Sequence, residues 1–223
     1  MKKFLAEFFG TFCLVFAGTG AIVVNDVSGG AVSHVGVALT FGLVVLAMIY
    51  SVGDISGAHL NPAVTLGFFA ARGFSARLVL PYIASQTLGA FAASLLLRGL
   101  FPTHATLGAT LPAGSDGQSF VLELVLTMIL MFVILSVTRG TKESGITAGI
   151  VVGAVIALEA LFAGPICGAS MNPARSLAPA VVSHHLSSLW LYLVAPVCGA
   201  MLGVGACKCM REKNCCVRTN DAA

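Results

Sequence analysis

The sequence contains very few charged residues. Asp, Glu, Lys and Arg make up only 9% of its 223 residues, whereas soluble domains carry about 25%. So few charges cannot cover the surface of a water-soluble domain. Hydrophobic residues make up 57% of the chain, and the mean hydropathy is +0.97, so the composition predicts an integral membrane protein.

The sequence also lacks the motifs of an enzyme. Ser51, Ser56 and Ser170 could lie at the same depth as His59, but no nucleophile elbow and no metal-ligand motif surrounds them. We therefore expect neither catalytic residues nor a cofactor.

Seven cysteines are an odd number, and four of them cluster near the C-terminus: Cys207, Cys209, Cys215 and Cys216. We expect this segment on the reducing, cytoplasmic side of a membrane, so it implies no disulfide framework. Cys-x-Cys followed by Cys-Cys could bind a soft metal ion, although the spacing matches no standard zinc signature. The alternative is a tail with incidental thiols, and the sequence leaves both open.

Six apolar runs are long enough to cross a bilayer. Each approaches the roughly 20 residues that a spanning helix needs. The first run follows Lys2 and Lys3, as in a signal peptide, but no cleavage site follows it, so we interpret it as the first span. The predicted spans are 4–24, 35–53, 78–97, 119–138, 146–163 and 186–206.

Lys and Arg residues are distributed unequally between the two faces of the predicted protein. Six spans place both termini on one face, and ten Lys and Arg residues fall there, against Arg98 and Arg175 on the other. Positive residues favour the cytoplasmic side, so we expect cytoplasmic termini and a location in the cell membrane. The net charge of +3 therefore reports topology and does not indicate a nucleic-acid partner. The ten residues are Lys2, Lys3, Arg72, Arg77, Arg139, Lys142, Lys208, Arg211, Lys213 and Arg218.

An internal repeat divides the chain. Residues 57–66 read GAHLNPAVTL and residues 168–177 read GASMNPARSL, and the longer stretches 42–66 and 153–177 align without a gap. The two halves, about 1–98 and 119–210, each contain three spans. Because three is odd, the second half enters the membrane from the opposite side, which makes an inverted repeat. We therefore predict one transmembrane domain over 1–210, followed by a cytoplasmic tail over 211–223.

Each half also contains a segment too short to span. NPAVTLGFFAA and NPARSLAPAVV have about ten residues each, which reach halfway through the hydrocarbon core. Asn61 and Asn172 are good N-caps, and Pro62 and Pro173 suit the first helical position before Ala63 and Ala174. Two half-helices would meet start to start at the midplane. Their positive ends, and an amide donor from each Asn, would favour a neutral hydroxylated solute over cations and protons.

The paired NPA boxes, in HLNPAVT and SMNPARS, resemble the aquaporin and glycerol-channel superfamily, the major intrinsic proteins. The resemblance covers nearly the whole chain. It implies an all-α membrane fold of six transmembrane helices plus two re-entrant half-helices, assembled as a homotetramer with one pore per subunit. The stretches MIYSVGDISGAHLNPAVT and AGPICGASMNPARSLAPA resemble the nodulin-like intrinsic proteins, the branch known for glycerol and metalloid hydroxides.

The resemblance assigns a narrow selectivity filter to Phe41, Ala160, Ala169 and Arg175. Water-selective members tend to carry His where this chain has Ala160. Replacing His by Ala widens the passage and removes a polar wall, while Arg175 keeps its fixed hydrogen-bond donors. We expect a passive channel for water, glycerol and metalloid hydroxides such as arsenous or boric acid, with a water-selective pore as the alternative.

Two buried acids are expected to support the pore loops. Glu7 in AEFFGTF and Glu123 in LELVLTM occupy matching repeat positions inside spans. The resemblance implies that each accepts N–H bonds from the loop before a half-helix. Glu159 in the fifth span has no such role in the family, so a loop contact, the lumen and a subunit contact all remain open.

Other polar residues have less specific predictions. By the resemblance, His59 bonds loop backbone near the cytoplasmic vestibule, and pH gating is an option because His titrates near neutrality. Cys167 is expected to line the pore as a mercurial target. The remaining histidines fall in predicted outer loops and are interpreted as surface residues: His34, His104, His184 and His185.

Two other classes of membrane protein share parts of this pattern. Secondary transporters also use inverted repeats, but alternating access needs hinges, whereas two short rigid half-helices suit a static pore. A structural junction protein could use the same scaffold without conducting. Concentrative uptake would indicate the first class and unchanged vesicle permeability the second.

Overall fold

The computed structural model describes residues 1–138 and 142–210, with the side chains of 142–145 excepted. Its described part is all-helical. The eight helices are α1 (Lys2–Val27), α2 (Ser33–Ser56), α3 (Pro62–Ala70), α4 (Ala76–Leu100), α5 (Asp116–Thr138), α6 (Lys142–Cys167), α7 (Pro173–Ser183) and α8 (Leu189–Met210). The predicted tail 211–223, with Cys215 and Cys216, lies outside the described residues.

The predicted division into long and short helices is confirmed. Six helices are long and apolar enough to cross a membrane, and each covers most of one predicted span. The short ones, α3 with 9 residues and α7 with 11, are the two predicted half-helices. Because six helices are long enough to cross, Lys2 and Met210 lie on one face, here called the terminal face. The opposite face, with the α4–α5 loop, is called the distal face.

Glycines allow the long helices to approach closely, and they do so in the same way in both halves. A side chain at Gly89 on α4 would collide with the carbonyl of Phe8 on α1, and one at Gly199 on α8 would collide with the carbonyl of Leu124 on α5. Small residues at such crossings bring membrane helices into backbone contact. The pairs α1–α4 and α5–α8 are therefore equivalent under the repeat.

The two halves meet at a pair of facing glycines. Gly42 on α2 and Gly153 on α6 are aligned in the repeat, and a Cβ on either would overlap the carbonyl oxygen of the other. This crossing places α2 against α6 at the centre of the domain. The pseudo-two-fold axis predicted from the repeat passes between these helices.

The outer surface of the bundle is apolar. Large side chains such as Leu43, Leu80, Leu95, Val121 and Phe162 are exposed on the long helices, whereas the buried set includes many Thr, Ser and Glu side chains. Exposed apolar area of this extent marks a lipid or protein interface. The Arg175 side chain, counted among distal charges from the sequence, is instead buried within α7 with 2% of its surface exposed.

Candidate pore

Both half-helices begin as the Asn-Pro pairs predict. The Oδ1 of Asn61 accepts from the Ala63 N–H at 2.8 Å, and the Oδ1 of Asn172 accepts from the Ala174 N–H at 3.0 Å. Each Asn is extended, and the following proline occupies the first helical position. The side-chain oxygen of each Asn therefore caps its own helix.

The two helix starts are tied to each other. The Nδ2 of Asn61 donates to the Met171 carbonyl at 2.7 Å, and the Nδ2 of Asn172 donates to the Leu60 carbonyl at 2.9 Å. The half-helices thus meet start to start. We expected the amide groups of both Asn residues to face the lumen, but one hydrogen of each is used in this exchange. One amide hydrogen per Asn remains for a solute.

The loops that precede the half-helices have the same unusual backbone in both halves. Non-glycine residues with positive φ are uncommon and strained, so they persist only where the surroundings hold them. The first loop has φ of 89° at Gly57, 45° at Ala58 and 51° at Leu60, and the second has 81° at Gly168, 41° at Ala169 and 53° at Met171. The repeat therefore extends to individual dihedral angles.

Glu7 binds the first loop from behind. Its Oε1 accepts from the Ser56 hydroxyl at 2.7 Å and from the His59 N–H at 2.9 Å. Its Oε2 accepts from the Leu60 N–H at 2.8 Å and from the Gln86 side-chain amide at 2.7 Å. The carboxyl group is fully buried and has four donors, which compensates for the cost of removing it from water.

Glu123 has the equivalent position behind the second loop. It accepts from the Ser170 N–H at 2.7 Å and from the Met171 N–H at 2.8 Å. A further pair of equivalent bonds steadies the end of each preceding helix. The Tyr82 hydroxyl donates to the Ser56 carbonyl at 2.8 Å, and the Tyr192 hydroxyl donates to the Cys167 carbonyl at 2.7 Å.

Two cavities lie along the axis between the faces. The proximal cavity, about 90 Å³, extends from Phe41 and Arg175 past the paired Asn residues to Thr138 and Ala148 at the terminal face. The distal cavity, about 380 Å³, opens toward the distal face. Four residues line both cavities and so form the boundary between them: Phe41, Ala160, Ala169 and Arg175. These are the four side chains to which the sequence resemblance assigned the filter.

Arg175 is held against one wall at this boundary. Its Nη1 donates to the Gly108 carbonyl at 2.9 Å, and the guanidinium carbon lies 5.0 Å from the centroid of the Phe41 ring. Its Nε has no partner among the residues that the structure describes. The side chains of Ala160 and Ala169 are methyl groups, so the four side chains at the boundary comprise one strong hydrogen-bond donor and three apolar groups.

His59 differs from its predicted contact. We expected it to bond loop backbone, but its Nδ1 lies 3.1 Å from the side-chain hydroxyl of Thr65. The Thr65 hydroxyl donates to the Asn61 carbonyl at 3.0 Å, so it accepts from His59, and the ring carries its proton on Nδ1. Phe68 and Phe74 pack on the ring. Helix α3 thus supplies the partner because one turn of helix brings Thr65 beneath the loop.

Cys167 does not line the pore as expected. It ends α6, its side chain is fully buried, and its thiol lies 3.5 Å from the Ala163 carbonyl. It contributes to neither cavity. Helix α6 continues past the predicted end of the span at 163, which keeps this side chain inside the helix packing.

Glu159 lies behind the pore wall. Its side chain is 1% exposed, and neither carboxylate oxygen has a partner among the described residues. It contributes to neither cavity, and such burial keeps it away from the outer surface of the chain. None of the three environments considered from the sequence is found.

At the C-terminus, Cys207 is buried and Cys209 is exposed, and the described residues contain no cluster of three metal-ligating side chains.

Two histidines have contacts that the sequence interpretation missed. His34 lies in the first turn of α2 and its Nε2 is 2.7 Å from the Leu161 carbonyl. Pro165, four residues later in α6, has no N–H for that carbonyl, so His34 supplies the missing donor. The proline inside a predicted span is a sequence signal for such a partner. His104 is also not a surface residue, because its side chain is only 8% exposed.

The fold and the paired half-helices define a membrane channel, and comparisons with known proteins agree. Residues 1–206 match the family described as major intrinsic protein. The chain is 50% identical over 215 residues to aquaporin NIP1-1 of Oryza sativa subsp. japonica, covering 96% of this chain and 76% of the relative. It is 47% identical over 215 residues to aquaporin NIP1-1 of Zea mays, with 96% and 76% covered.

A solved structure has the same fold. The X-ray structure of the aquaglyceroporin from Plasmodium falciparum superposes with a TM-score of 0.83 at 29% identity, covering 92% of this chain and 93% of that one. The chain therefore belongs to the major intrinsic protein family. It is a multi-pass membrane channel for water and small solutes, not an enzyme, and its plant relatives are nodulin-like intrinsic proteins.

Proposed function

We propose that this channel passes water together with small uncharged hydroxylated solutes, namely glycerol and metalloid hydroxides such as arsenous or boric acid, and excludes protons and ions. One observation carries the proposal: the boundary between the two cavities consists of one guanidinium and three apolar side chains. A solute hydroxyl can accept from Arg175 while its carbon or metalloid edge slides along Phe41. A pore built for water alone needs a second polar wall, and Ala160 provides none.

Exclusion of cations has two sources in this proposal. Each half-helix start carries about half a positive charge, and the Asn61 and Asn172 amides point further donors into the same region. The guanidinium of Arg175 adds a full positive charge, and this residue is only 2% exposed. No carboxylate is among the described residues that line either cavity. A hydronium ion at the midplane would therefore lose its hydration and gain no compensating partner.

Glu7 and Glu123 have a positioning role in this proposal. Each binds the loop N–H groups from behind, so that the loop carbonyls are free to face the solute path. The loops would otherwise relax from their left-handed residues. His59, which lines the proximal cavity, has its Nδ1 proton committed to Thr65 and is positioned by that bond.

We further propose that the terminal face is cytoplasmic, that the protein lies in the cell membrane, and that it forms a homotetramer with one pore per subunit. The described Lys and Arg residues at the terminal face include Lys2, Lys3, Arg72 and Arg77, whereas Arg98 lies near the distal loops. The apolar outer faces of α2 and α6 suit contact with neighbouring subunits as well as with lipid.

Stopped-flow light scattering of proteoliposomes tests the solute assignment. Water, glycerol, urea and boric acid are compared on one preparation, with empty liposomes as the control. Permeability to glycerol and boric acid well above the control is the expected result. Water permeability alone would indicate the water-selective pore, and uptake of a solute against its gradient would indicate a transporter instead.

A further inference from the structure

The α4–α5 loop supplies the carbonyl that holds Arg175. Gly108 accepts from Arg175 Nη1 at 2.9 Å, and it follows Leu107, whose φ is 51°. Gly108 itself has φ of 71°, and a Cβ there would lie 2.9 Å from Thr19 Cβ and 3.0 Å from the Thr19 carbonyl oxygen. The direction of this carbonyl therefore depends on two consecutive left-handed residues pressed against α1.

His104 binds the same two-residue turn. Its Nδ1 accepts from the Leu107 N–H at 3.0 Å, and its Nε2 lies 3.2 Å from Oδ2 of Asp26 at the end of α1. Because a backbone N–H can only donate, Nδ1 must carry a lone pair, and the proton of the neutral ring is on Nε2. The His104 side chain is 8% exposed and that of Asp26 is 52% exposed.

The backbone of His104 is anchored as well. Arg98 on α4 donates through Nη1 to the His104 carbonyl at 2.9 Å and to the Pro102 carbonyl at 3.1 Å. Its Nη2 donates to the Val182 carbonyl of α7 at 3.4 Å. The charged groups in contact with His104 are thus Asp26 from α1 and Arg98 from α4. The ring is fixed from both ends, so the turn at Leu107 depends on its Nδ1 lone pair.

We propose that His104 is a positioning residue for Arg175: the neutral imidazole sets the turn at Leu107 so that the Gly108 carbonyl holds the guanidinium against the pore wall. This inference rests on the proposed role of Arg175 at the boundary between the cavities. It adds a side chain of the α4–α5 loop to the residues that hold the guanidinium in place.

Protonation of His104 removes the contact. An N–H at Nδ1 would face the Leu107 N–H, two donors only 3.0 Å apart in the present geometry. The imidazolium is attracted to Asp26, which keeps the ring in place, so the loop moves instead of the ring. The Gly108 carbonyl then leaves Arg175 without its partner, and the freed guanidinium enters the passage. Acid on the distal side therefore reduces solute flux.

Two substitutions distinguish the roles of the two ring nitrogens of His104. His104→Asn places an oxygen near the Nδ1 position and cannot titrate, whereas His104→Gln reaches toward Asp26 without an acceptor for Leu107. Glycerol and water permeabilities are measured by stopped-flow light scattering from about pH 7.5 to about pH 5.5, where imidazole groups change charge. We expect acid to reduce the glycerol permeability of the unmodified protein about fivefold, the population shift that loss of one hydrogen bond produces.

The variants should respond differently. His104→Asn should retain the neutral-pH permeability across the whole range, and His104→Gln should be low throughout. Unchanged acid sensitivity in His104→Asn would overturn the inference, because another group would then titrate.

Arg175→Val separates this inference from the proposed function. If Arg175→Val makes the liposomes leak protons while both His104 variants match the unmodified protein at every pH, the positioning inference fails and the proposed filter stands. If Arg175→Val changes neither proton tightness nor solute permeability, the proposed filter fails. Thermal unfolding of the purified variants identifies any that do not fold, and His104→Asn keeps the test valid because it preserves the Leu107 contact.

Discussion

The two halves of the pore share a scaffold and differ in the side chains that face the lumen. Both loops have the same left-handed residues, and both are bound from behind by a buried glutamate. The gapless alignment of the repeat, extended by one residue to include Phe41, pairs each boundary residue with one in the other half. The pairs are Phe41 with Val152, Ala160 with Ile49, Ala169 with Ala58, and Arg175 with Val64.

The four partners form a second ring, here called the proximal ring. Val152, Ile49, Ala58 and Val64 all line the proximal cavity, so the symmetry operation carries one set onto another lumen-facing set. The proximal ring is entirely apolar, whereas the four boundary residues, here called the distal ring, include Arg175. The repeat therefore places two equivalent sets of four residues along the lumen, and a single arginine gives only one set a charge and hydrogen-bond donors.

The largest expected effect comes from making the two rings alike. Arg175→Val gives the distal ring the residue found at Val64, and it removes a unit charge from the passage. At an effective dielectric of about 20, such a charge contributes about 4 kcal/mol at 4 Å, so proton leakage should rise by at least about tenfold. A pH-sensitive dye in proteoliposomes measures the leak, with Val64→Ala as a control in the other ring. A proton leak no faster than that of the unmodified channel would contradict the assignment of Arg175 to cation exclusion.

Where the halves are alike, equivalent substitutions should have equal effects. Gly89→Ala and Gly199→Ala each push a methyl group into a backbone carbonyl of the neighbouring helix. Each should lower the free energy of unfolding by about 1 to 3 kcal/mol, the usual effect of overpacking. Gly205→Ala on the outside of α8, where nothing lies within 4 Å, is the matched control. Thermal unfolding in detergent provides the measurement. A large difference between Gly89→Ala and Gly199→Ala would show that the two helix pairs are not equivalent in stability, although their contacts are equivalent.

The two buried glutamates should differ in their tolerance of an amide. In Glu7→Gln, the new amide group loses one backbone donor, the N–H of His59 or that of Leu60. The Ser56 hydroxyl can still turn toward the Val52 carbonyl, 3.4 Å away, and accept from the new amide. Glu123 faces the N–H groups of Ser170 and Met171, which cannot reorient, and the nearby Cys167 thiol is a weak acceptor.

An unsatisfied buried donor costs about 1 to 3 kcal/mol, so Glu123→Gln should lower the unfolding temperature more than Glu7→Gln. Both variants are compared in the same detergent by thermal unfolding. A larger decrease in unfolding temperature for Glu7→Gln would mean that the side-chain partners of Glu7 are rigid, so that the first loop tolerates an amide less well than the second.

The smallest expected effect sharpens the distal ring without changing its charge. Ala160→His adds a polar side chain to the boundary and narrows the passage. Glycerol flux should fall about fivefold, which corresponds to about 1 kcal/mol, the lower end of the discrimination that one pocket contact gives, and water flux should fall less than about twofold. Ala160→Val controls for size alone. Equal reductions of both fluxes would argue against a role of this position in selectivity.

Much of this architecture follows from short stretches of sequence. The six spans are readable because length and hydropathy are properties of contiguous residues, and the half-helices are readable because Asn-Pro caps and starts a helix locally. The inverted repeat follows from comparing the two halves. The assignment of Phe41 to the boundary, by contrast, came from resemblance, since nothing in its immediate neighbours distinguishes it from a packed core aromatic.

Contacts between distant residues were not predictable in the same way. The predicted partner of His59, the loop backbone, was wrong. Whether the ring contacts that backbone or Thr65 depends on how the loop folds back on α3. The prediction that Cys167 lines the pore was wrong because α6 extends to Cys167, beyond the predicted end of the span at 163. His104 looked like a loop residue, since the turn at Leu107 and the end of α1 meet only in the folded chain.

The sequence by itself determined the class of protein, the number of spans, the inverted repeat and the two helix starts. Each of these depends on composition, on residues within a few positions of one another, or on the comparison of two contiguous stretches. Only the tertiary structure decided that Asn61 and Asn172 bond across the pore, that Glu7 has four donors, and that the Gly108 carbonyl holds Arg175. Those bonds join groups tens of residues apart, and their geometry exists only when the helices have packed.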